Sequence, residues 1–363
     1  DPEMSRGLGD VYKRQDEDGH VVGGPFNYIE HGMGPKWKWL AKIFAFFGIG
    51  VGLLGIGTFT QVNGISSAVN NFFDPNNAWT VSLFGRTYSW TVVISCLILT
   101  FCVALVLIGG IQRISKVAQV IVPFMAATYF LAGILIILFN ITDVPAAILT
   151  IVQSAFGLKA AAGGALGAMV VAMQKGIARG IFSNEAGLGS APIAAAAART
   201  NEPVRQGLVS MTGTFIDTII ICSITGIAIV LTGAYDMGLE GVAVTTKAFQ
   251  LGLPFPDGVA SFILMLCLVF FAFTTILGWD YYSERCLEYL TNGKKKCIKA
   301  YRWVYILCVF IGPYMTVSAV WTIADIFNGL MAIPNLIALV ALNGVVAKET
   351  KDYLDRIKKK EID

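Results

Sequence analysis

The sequence is short of charged residues, which make up only 14% of its 363 positions. A soluble domain of this size carries about a quarter of charged residues. Hydrophobic residues make up 55% of the chain, and the mean hydropathy is +0.67. This composition excludes a disordered chain, a basic nucleic-acid-binding protein and an ordinary cytosolic enzyme. It predicts a polytopic membrane protein that lies in a lipid bilayer.

Histidine is almost absent, and cysteine shows no motif. His20 and His31 both precede the first long apolar run, so no Ser/His/Asp or Cys/His constellation can be assembled within the membrane. The seven cysteines show no paired metal-ligand spacing, and most lie in apolar runs, where they act as small hydrophobic residues. The sequence therefore predicts that the protein is not an enzyme and binds no cofactor.

Long apolar runs dominate what is present. A membrane-spanning helix needs about 20 mostly apolar residues, and the sequence predicts an all-α fold with about eight transmembrane helices. The predicted spans are Trp39–Val69, Trp90–Gly110, Val117–Phe139, Gly164–Ala198, Gly207–Leu231, Val259–Tyr282, Trp303–Ala319 and Val320–Val346.

Two of these runs are too long for one straight span. The first is rich in glycine, and its Gly50–Gly55 segment matches a dinucleotide fingerprint by letters alone. That fingerprint requires a preceding strand, whereas glycines within a spanning helix permit close helix contacts. The fourth run contains glycines and a proline in its second half. Such residues are tolerated only where protein, water or ligand satisfies the freed backbone groups, so the fourth run predicts a helix broken over residues 180–192.

A helix that breaks at mid-membrane leaves unpaired N–H groups on one half and unpaired C=O groups on the other. Those ends can hold a carboxylate and a cation, respectively. The alternative interpretation is a glycine kink in which Arg179 and Glu185 form a structural pair.

Polar side chains within other spans have two interpretations as well. Thr274 and Thr275 could supply hard oxygen ligands to sodium, or each could bond back to the carbonyl four residues earlier. Gln61 and Asn63 could contact a ligand or form a helix–helix hydrogen bond. Asp325 lies near the outer end of the last span, at the position of a gate, and its partner cannot be named from the sequence.

The basic residues predict the orientation. If the Trp39 end of the first span is cytoplasmic, most lysines and arginines fall on that side, and Arg86, Lys159 and Lys247 fall on the other. The positive-inside rule then places the C-terminus in the cytoplasm. Residues 348–363 are predicted to form a charged tail that is a solvated helix.

The first fifteen residues fit nothing that follows. Ser5–Gln15 resembles translated sequencing-adapter read-through, and it has no signal-peptide apolar core. Residues 1–15 are therefore predicted to be a non-native leader. We expect the natural protein to begin upstream, which would make this chain a fragment.

Several motifs resemble one family. Arg179–Pro192, with the sequence RGIFSNEAGLGSAP, is similar to the signature of the alanine or glycine:cation symporter family. The resemblance runs in order from Asp16 to about Tyr353. Further matches are Gly23–Glu30, Gly55–Asn63, Gly278–Arg285 and Asp325–Asn335.

The resemblance implies a leucine-transporter-like fold of two inverted five-helix repeats. Residues 39–139 would hold the last three helices of the first repeat, behind a cytoplasmic loop at 16–38. Residues 164–347 would hold the complete second repeat, after an extracellular loop at 140–163. On this resemblance, the first two core helices of the family, with about half of each binding site, would lie outside the sequence.

The resemblance also implies cotransport of alanine or glycine with sodium, or with a proton in some members, by alternating access. The protein would be a monomer in a bacterial or archaeal inner (cell) membrane. A rival interpretation is an ion channel or a substrate sensor built on the same scaffold. Substrate contacts are implied at Gln61, Phe182, Ser183, Asn184 and Trp279, sodium ligands at Thr274 and Thr275, and gating or structural charges at Arg179, Glu185 and Asp325.

Overall fold

The computed structural model describes residues 8–15, 21–83, 85–156, 165–198 and 202–359. Helices dominate these residues, which confirms the predicted all-α fold class. In chain order the helices are α1 (Lys38–Leu54), α2 (Phe59–Phe73), α3 (Trp90–Ile108), α4 (Gly110–Phe139), α5 (Val144–Ala155), α6 (Ala165–Asn184), α7 (Ala191–Ala196), α8 (Pro203–Leu231), α9 (Val242–Gly252), α10 (Asp257–Thr291), α11 (Lys295–Ile311), α12 (Val317–Ala341) and α13 (Asn343–Lys358).

Six helical stretches of the described chain are long and apolar enough to cross a membrane, so this is a multi-pass membrane protein. They are Pro35–Phe73, Trp90–Ile108, Gln112–Phe139, Pro203–Leu231, Asp257–Thr291 and Val317–Ala341. The predicted fourth and seventh spans are not among them. The fourth run is divided between α6 and α7, and α6 carries Lys175 and Arg179. In the seventh, α11 has only 17 residues and begins with lysines.

The first apolar run contains an interruption that the sequence analysis did not predict. α1 ends at Leu54, and α2 begins at Phe59 after an irregular turn. A Cβ atom at Gly57 would lie 2.8 Å from the Cβ atom of Trp279, so glycine permits this close approach. The Gly57 carbonyl accepts a hydrogen bond of 3.1 Å from the Tyr305 hydroxyl. The protein itself therefore satisfies a backbone group at this interruption, as a lipid environment requires.

The fourth run is broken as predicted, but the helix extends further than expected. α6 continues through Gly180 to Asn184, and α7 begins at Ala191. Glu185, Gly187 and Gly189 have φ values of +57°, +75° and +89°, a conformation that ends a right-handed helix. The predicted start of the break at residue 180 was therefore wrong, because Gly180 fits within the helix.

The predicted seventh span, Trp303–Ala319, has wrong bounds. α11 ends at Ile311, and a turn at Gly312–Tyr314 precedes α12. Pro313 has no N–H to continue the helix, and the Thr316 side chain caps α12. The eighth span correspondingly begins at Val317 rather than Val320.

Two connecting regions hold more structure than predicted. A hairpin joins β3 (Thr80–Leu83) to β4 (Arg86–Ser89), after a shorter pair of β1 (Arg14–Gln15) and β2 (Val21–Val22). The predicted loop at 140–163 contains α5, and its residues 157–163, with Lys159, lie outside the described part. Leu8 is buried, although the leader assignment of residues 1–15 stays a prediction.

The main core lies where α1 packs between α10 and α12. Phe44 and Val51 of α1 meet Trp279 of α10 and Met331 of α12 there. A second core joins α2, α3, α10 and α11, and a third joins α4, α8, α9 and α10.

The C-terminal helix is docked rather than simply solvated. Arg356 of α13 contacts both carboxylate oxygens of Glu202, at 2.8 and 2.6 Å, and Tyr353 is buried. Most of α13 is exposed, in line with the predicted solvated helix, and the ion pair adds a contact to a partner 154 residues away that the sequence pattern did not indicate. Residues 360–363 of this tail lie outside the described part.

Candidate functional site

A cavity of about 590 Å³ lies among α2, α6, α9, α10 and α12. One wall is polar and comes from α2, where Thr60, Asn63, Ser67 and Asn71 recur at helical spacing. The opposite walls are mainly apolar and come from α10 and α12. Only Asn63 of this polar stripe was predicted as a ligand contact, although small polar residues recur every three or four positions along α2.

Gln61 lies on the cavity wall, as its implied role requires. Its side-chain nitrogen is 3.4 Å from the Thr60 hydroxyl. Asn63 also lines the cavity, and its side-chain nitrogen donates to the Met315 carbonyl at 3.0 Å. For Asn63 the structure thus shows the structural hydrogen bond that was one of the two alternatives.

Phe182 lines the cavity at the end of α6, next to the break. Its ring lies 4.9 Å from the ring of Trp321 on α12. The Arg179 guanidinium lies 4.5 Å from the Trp321 ring centroid and 5.5 Å from that of Phe182. Trp321 was missed by the sequence analysis, because nothing in its local pattern places it opposite a helix 139 positions earlier.

Arg179 forms an ion pair with Asp325 across α6 and α12. Its Nη2 atom is 2.7 Å from each carboxylate oxygen. This names the partner of Asp325 and contradicts the alternative in which Arg179 pairs with Glu185. Glu185 instead accepts a hydrogen bond of 2.6 Å from the Ser190 hydroxyl, within the break.

Ser183 and Asn184 contact α8 rather than the cavity. The Ser183 hydroxyl donates to Asp217 at 2.6 Å, and the Asn184 amide donates to the Thr218 hydroxyl at 3.2 Å. Asp217 and Thr218 lie in a π-helical stretch of α8, Phe215–Cys222, and such wide turns are frequent at functional sites.

Thr274 and Thr275 bond to their own helix. Thr274 donates to the carbonyls of Phe270 and Phe271, both at 3.0 Å, and Thr275 donates to the Phe271 carbonyl at 2.8 Å. This is the structural arrangement that was weighed against sodium binding. Neither threonine is among the residues that line the cavity, although a hydroxyl that donates its proton retains its lone pairs.

Trp279 is buried beside the first interruption rather than on the cavity wall. Only 2% of its surface is exposed, and its ring packs against Tyr282 at 5.4 Å. Its Nε1–H has no hydrogen-bond partner among the described residues. A buried unsatisfied donor is costly, so this atom is a candidate for contact with a ligand.

The second break is held by α12 and by the segment before α1. The Asn335 side chain donates to the Gly187 carbonyl at 2.9 Å, and Asn335 in turn accepts from the Tyr28 hydroxyl. A Cβ atom at Gly189 would lie 2.7 Å from Pro25 and 2.8 Å from Phe44. The break is thus a fixed feature of the packed protein.

Interrupted membrane helices around a partly polar cavity are typical of membrane transporters. The chain matches the sequence model of the Sodium:alanine symporter family over residues 4–363, and it belongs to that family. This match confirms the predicted family. It also confirms that the protein transports an amino acid with a cation and is not an enzyme.

Characterised and uncharacterised transporters are among its relatives. An uncharacterized transporter of Haemophilus influenzae is 51% identical over 349 residues, which cover 96% of this chain and 72% of the relative. The sodium/alanine symporter AgcS of Methanococcus maripaludis is 42% identical over 96% of this chain and 73% of the relative. The probable sodium/glutamine symporter GlnT of Bacillus subtilis is 38% identical over 95% of this chain and 67% of the relative.

Proposed function

We propose that the protein carries a small neutral amino acid, alanine or glycine, into the cell together with sodium. The observation that carries this proposal is the cavity that Gln61 and Phe182 line beside the break after α6. The names of its relatives support sodium and an amino acid as the transported pair. The leucine-transporter-like arrangement of inverted repeats is part of the same proposal.

The substrate's two charged groups need different partners. Its ammonium group matches the oxygen atoms of the α2 stripe, with Gln61 as the proposed contact. Its carboxylate matches the unpartnered Nε1–H of Trp279. The last turn of α6, at Ser183 and Asn184, presents backbone C=O groups, which match the ammonium group or the cation. Closure of the aromatic wall around Phe182 would limit the side chain to a hydrogen or a methyl group.

Alternating access requires a contact that can open on one side of the cavity. We assign this role to Arg179 and Asp325, whose ion pair joins α6 to α12 beside the aromatic wall. The pair is partly exposed, with side-chain exposures of 40% and 49%. Exposed pairs contribute at most about 1 kcal/mol, so this contact can break at little cost. Glu185, bonded to Ser190 within the break, would have a structural role.

Sodium is the proposed coupling ion, with the lone pairs of Thr274 and Thr275 as ligands. Because the basic residues favour one side, the C-terminus would face the cytoplasm. The protein would work as a monomer in a bacterial or archaeal cell membrane. A channel or a sensor on the same scaffold is the second candidate, and no observation in the described structure favours it.

The test is uptake of labelled alanine by liposomes that contain the purified protein expressed from its complete gene. We expect saturable uptake that an inward sodium gradient stimulates and an equal potassium gradient does not. The double variant Thr274→Ala/Thr275→Ala should need more sodium for half-maximal uptake. Thr128→Ala is the matched control, because Thr128 makes the same kind of bond back to its helix, to Phe124, on α4.

Two results would contradict the proposal. Uptake that does not saturate and shows no fixed ratio to sodium would identify a channel. Unchanged sodium activation in the double variant would assign the two threonines a purely structural role and would remove them from the sodium site.

A further inference from the structure

Three carboxylates form a stripe along one face of α10. Asp280, Glu284 and Glu288 are spaced by four residues, which places them on the same side of the helix. Their exposure increases toward the end of α10: Asp280 is 3% exposed, Glu284 is 5% exposed, and the side chain of Glu288 is 16% exposed. The stripe therefore leads from the interior toward the lysine-rich connection between α10 and α11.

The two outer carboxylates are paired with arginines. Arg302 of α11 contacts both oxygens of Glu284, at 2.6 and 3.0 Å. Arg285 lies 3.0 Å from Glu284 and 2.5 Å from Glu288. Both arginines thus pair with the outer carboxylates, and neither forms an ion pair or a hydrogen bond with Asp280 among the described residues.

Asp280 has no such partner. Its Oδ1 atom is buried and has no hydrogen-bond partner among the described residues. The titratable and charged groups that face it are Glu284 and Arg285 on its own helix and Tyr301, Arg302 and Tyr305 on α11.

The third helix packed here, α1, brings no charge to Asp280. Gly52 of α1 lies against Ser283 and Tyr301. The charged residues of α1, Lys38 and Lys42, are exposed near the start of that helix.

An ionised carboxylate in such a place is unfavourable, and protonation removes its charge. We propose that Asp280 binds and releases a proton, and that the carboxylate stripe links it to the lysine-rich connection between α10 and α11. Binding forms one O–H bond at the carboxylate with a proton from water, and release breaks that bond. This inference rests on the proposed symport function, to which it adds a site for a proton besides the sodium site.

Hydrogen bonds next to Asp280 link α11 to Trp279, the proposed substrate contact. The Tyr301 hydroxyl donates to Ser283 at 2.5 Å, and Ser283 donates to the Trp279 carbonyl at 2.5 Å. Asp280 follows Trp279, the proposed substrate contact, and its helix packs extensively against α1. An opening that admits water to Asp280 would favour its ionised form, so loss of the proton would accompany that opening.

Infrared difference spectroscopy on the purified full chain tests this directly, with the pH stepped between about 5 and about 9 across the range where a buried carboxyl titrates. We expect a C=O stretching band of a protonated carboxyl that shifts in D₂O. Asp280→Asn should abolish that band, and the control Glu288→Gln should keep it. Asp280→Glu should keep a band at a shifted frequency, which guards against misfolding of the asparagine variant.

Absence of the band from the wild-type spectra, or its persistence in Asp280→Asn, would overturn the proposal. A band that appears only when sodium is removed at constant pH would also overturn it, because Asp280 would then bind the metal cation. None of these readouts depends on uptake. Failure of the proposed transport function, seen in the liposome assay, is therefore distinguishable from failure of the proton site.

Discussion

The helical stretch Pro35–Phe73 contains α1 and α2, and 56% of the residues in its most apolar part are buried within the protein. In α8 the corresponding share is only 11%. The two stretches have similar apolar character. α1 is enclosed by α10 and α12 in the main core. α8 instead exposes many of its apolar side chains and bonds through Asp217 and Thr218 to the end of α6.

This difference shows that hydropathy identifies a span but does not reveal what covers it. In a membrane, ionisable residues almost always face the interior of a bundle or a water-filled space. We call Arg179, Ser183, Asp217 and Cys222, which lie on α6 and α8, the open face. Because of its polar groups, we propose that this face borders the transport pathway rather than lipid, and that the packed region around α1 is the scaffold.

The largest expected effect on stability comes from adding one methyl group to the packed region. In Gly52→Ala the new Cβ would lie 2.5 Å from the Cβ of Ser283, and overpacking of this kind costs about 1–3 kcal/mol. Gly180→Ala on α6 is the matched control, because no atom lies within 4 Å of that position. Thermal unfolding of the purified variants measures both changes. Equal losses in the two variants would contradict the division into packed and open regions.

Two tryptophans extend the comparison to substrate binding. Trp279→Phe keeps a buried aromatic ring and removes the unpartnered N–H, so the KM for alanine should rise about tenfold if that donor holds the carboxylate. Trp321→Phe on the cavity wall should change the KM less, because the aromatic face is retained. Competition of labelled alanine with larger amino acids provides a second readout. An unchanged KM and size ranking in Trp279→Phe would place this residue in the core alone.

A smaller effect is expected for the ion pair on the open face. Asp325→Asn and Arg179→Gln should each change the free energy of unfolding by at most about 1 kcal/mol, because both side chains are partly exposed. Uptake should nevertheless fall, and the double variant should be no worse than the worse single variant. Additive losses in uptake would show that the two residues act separately and would remove the proposed gate.

The smallest effect concerns the docking of α13. The hydrogen bond from Arg356 lowers the pKa of Glu202 from its ordinary value of 4.5. Because the folded pKa lies below the unfolded one, the pair stabilises docking at higher pH and loses that contribution as the pH falls through the folded value. Hydrogen exchange across Asn343–Lys358, corrected for intrinsic rates, should show a loss of about 0.5 kcal/mol or less in Glu202→Gln.

The control for that prediction is Glu349→Gln, which changes a carboxylate on α13 itself. It should leave the exchange of this helix unchanged. If Glu202→Gln exchanges like the wild type both at neutral and at acidic pH, the ion pair contributes nothing to docking.

The sequence predicted features that depend on local pattern. Hydropathy predicted the first residue of α3 correctly and its last residue to within two positions. The glycines after Asn184 predicted the second break. The motif Arg179–Pro192 indicated the family. These features could be predicted because a span or a break is determined by residues that are adjacent in the chain.

Contacts between distant segments could not be predicted. Asp325 lies 146 positions from Arg179, and no periodicity connects them. Trp321 is one of several aromatic residues in an apolar run, and only packing places it beside Phe182. Helix ends such as Ile311 and Asn184 were misplaced because they depend on single caps and φ values rather than on hydropathy.

Labelling of Cys222 with a membrane-impermeant thiol reagent tests most directly whether the open face borders a water-filled transport pathway. Cys222 is exposed on this face and Cys286 is buried in the packed region, so variants that retain only one of these cysteines give a matched pair. We expect the Cys222 variant to react in proteoliposomes and sodium with alanine to slow the reaction. The Cys286 variant should react only after denaturation. A Cys222 that stays unlabelled until the protein is denatured, or that reacts at the same rate with and without sodium and alanine, would contradict this expectation.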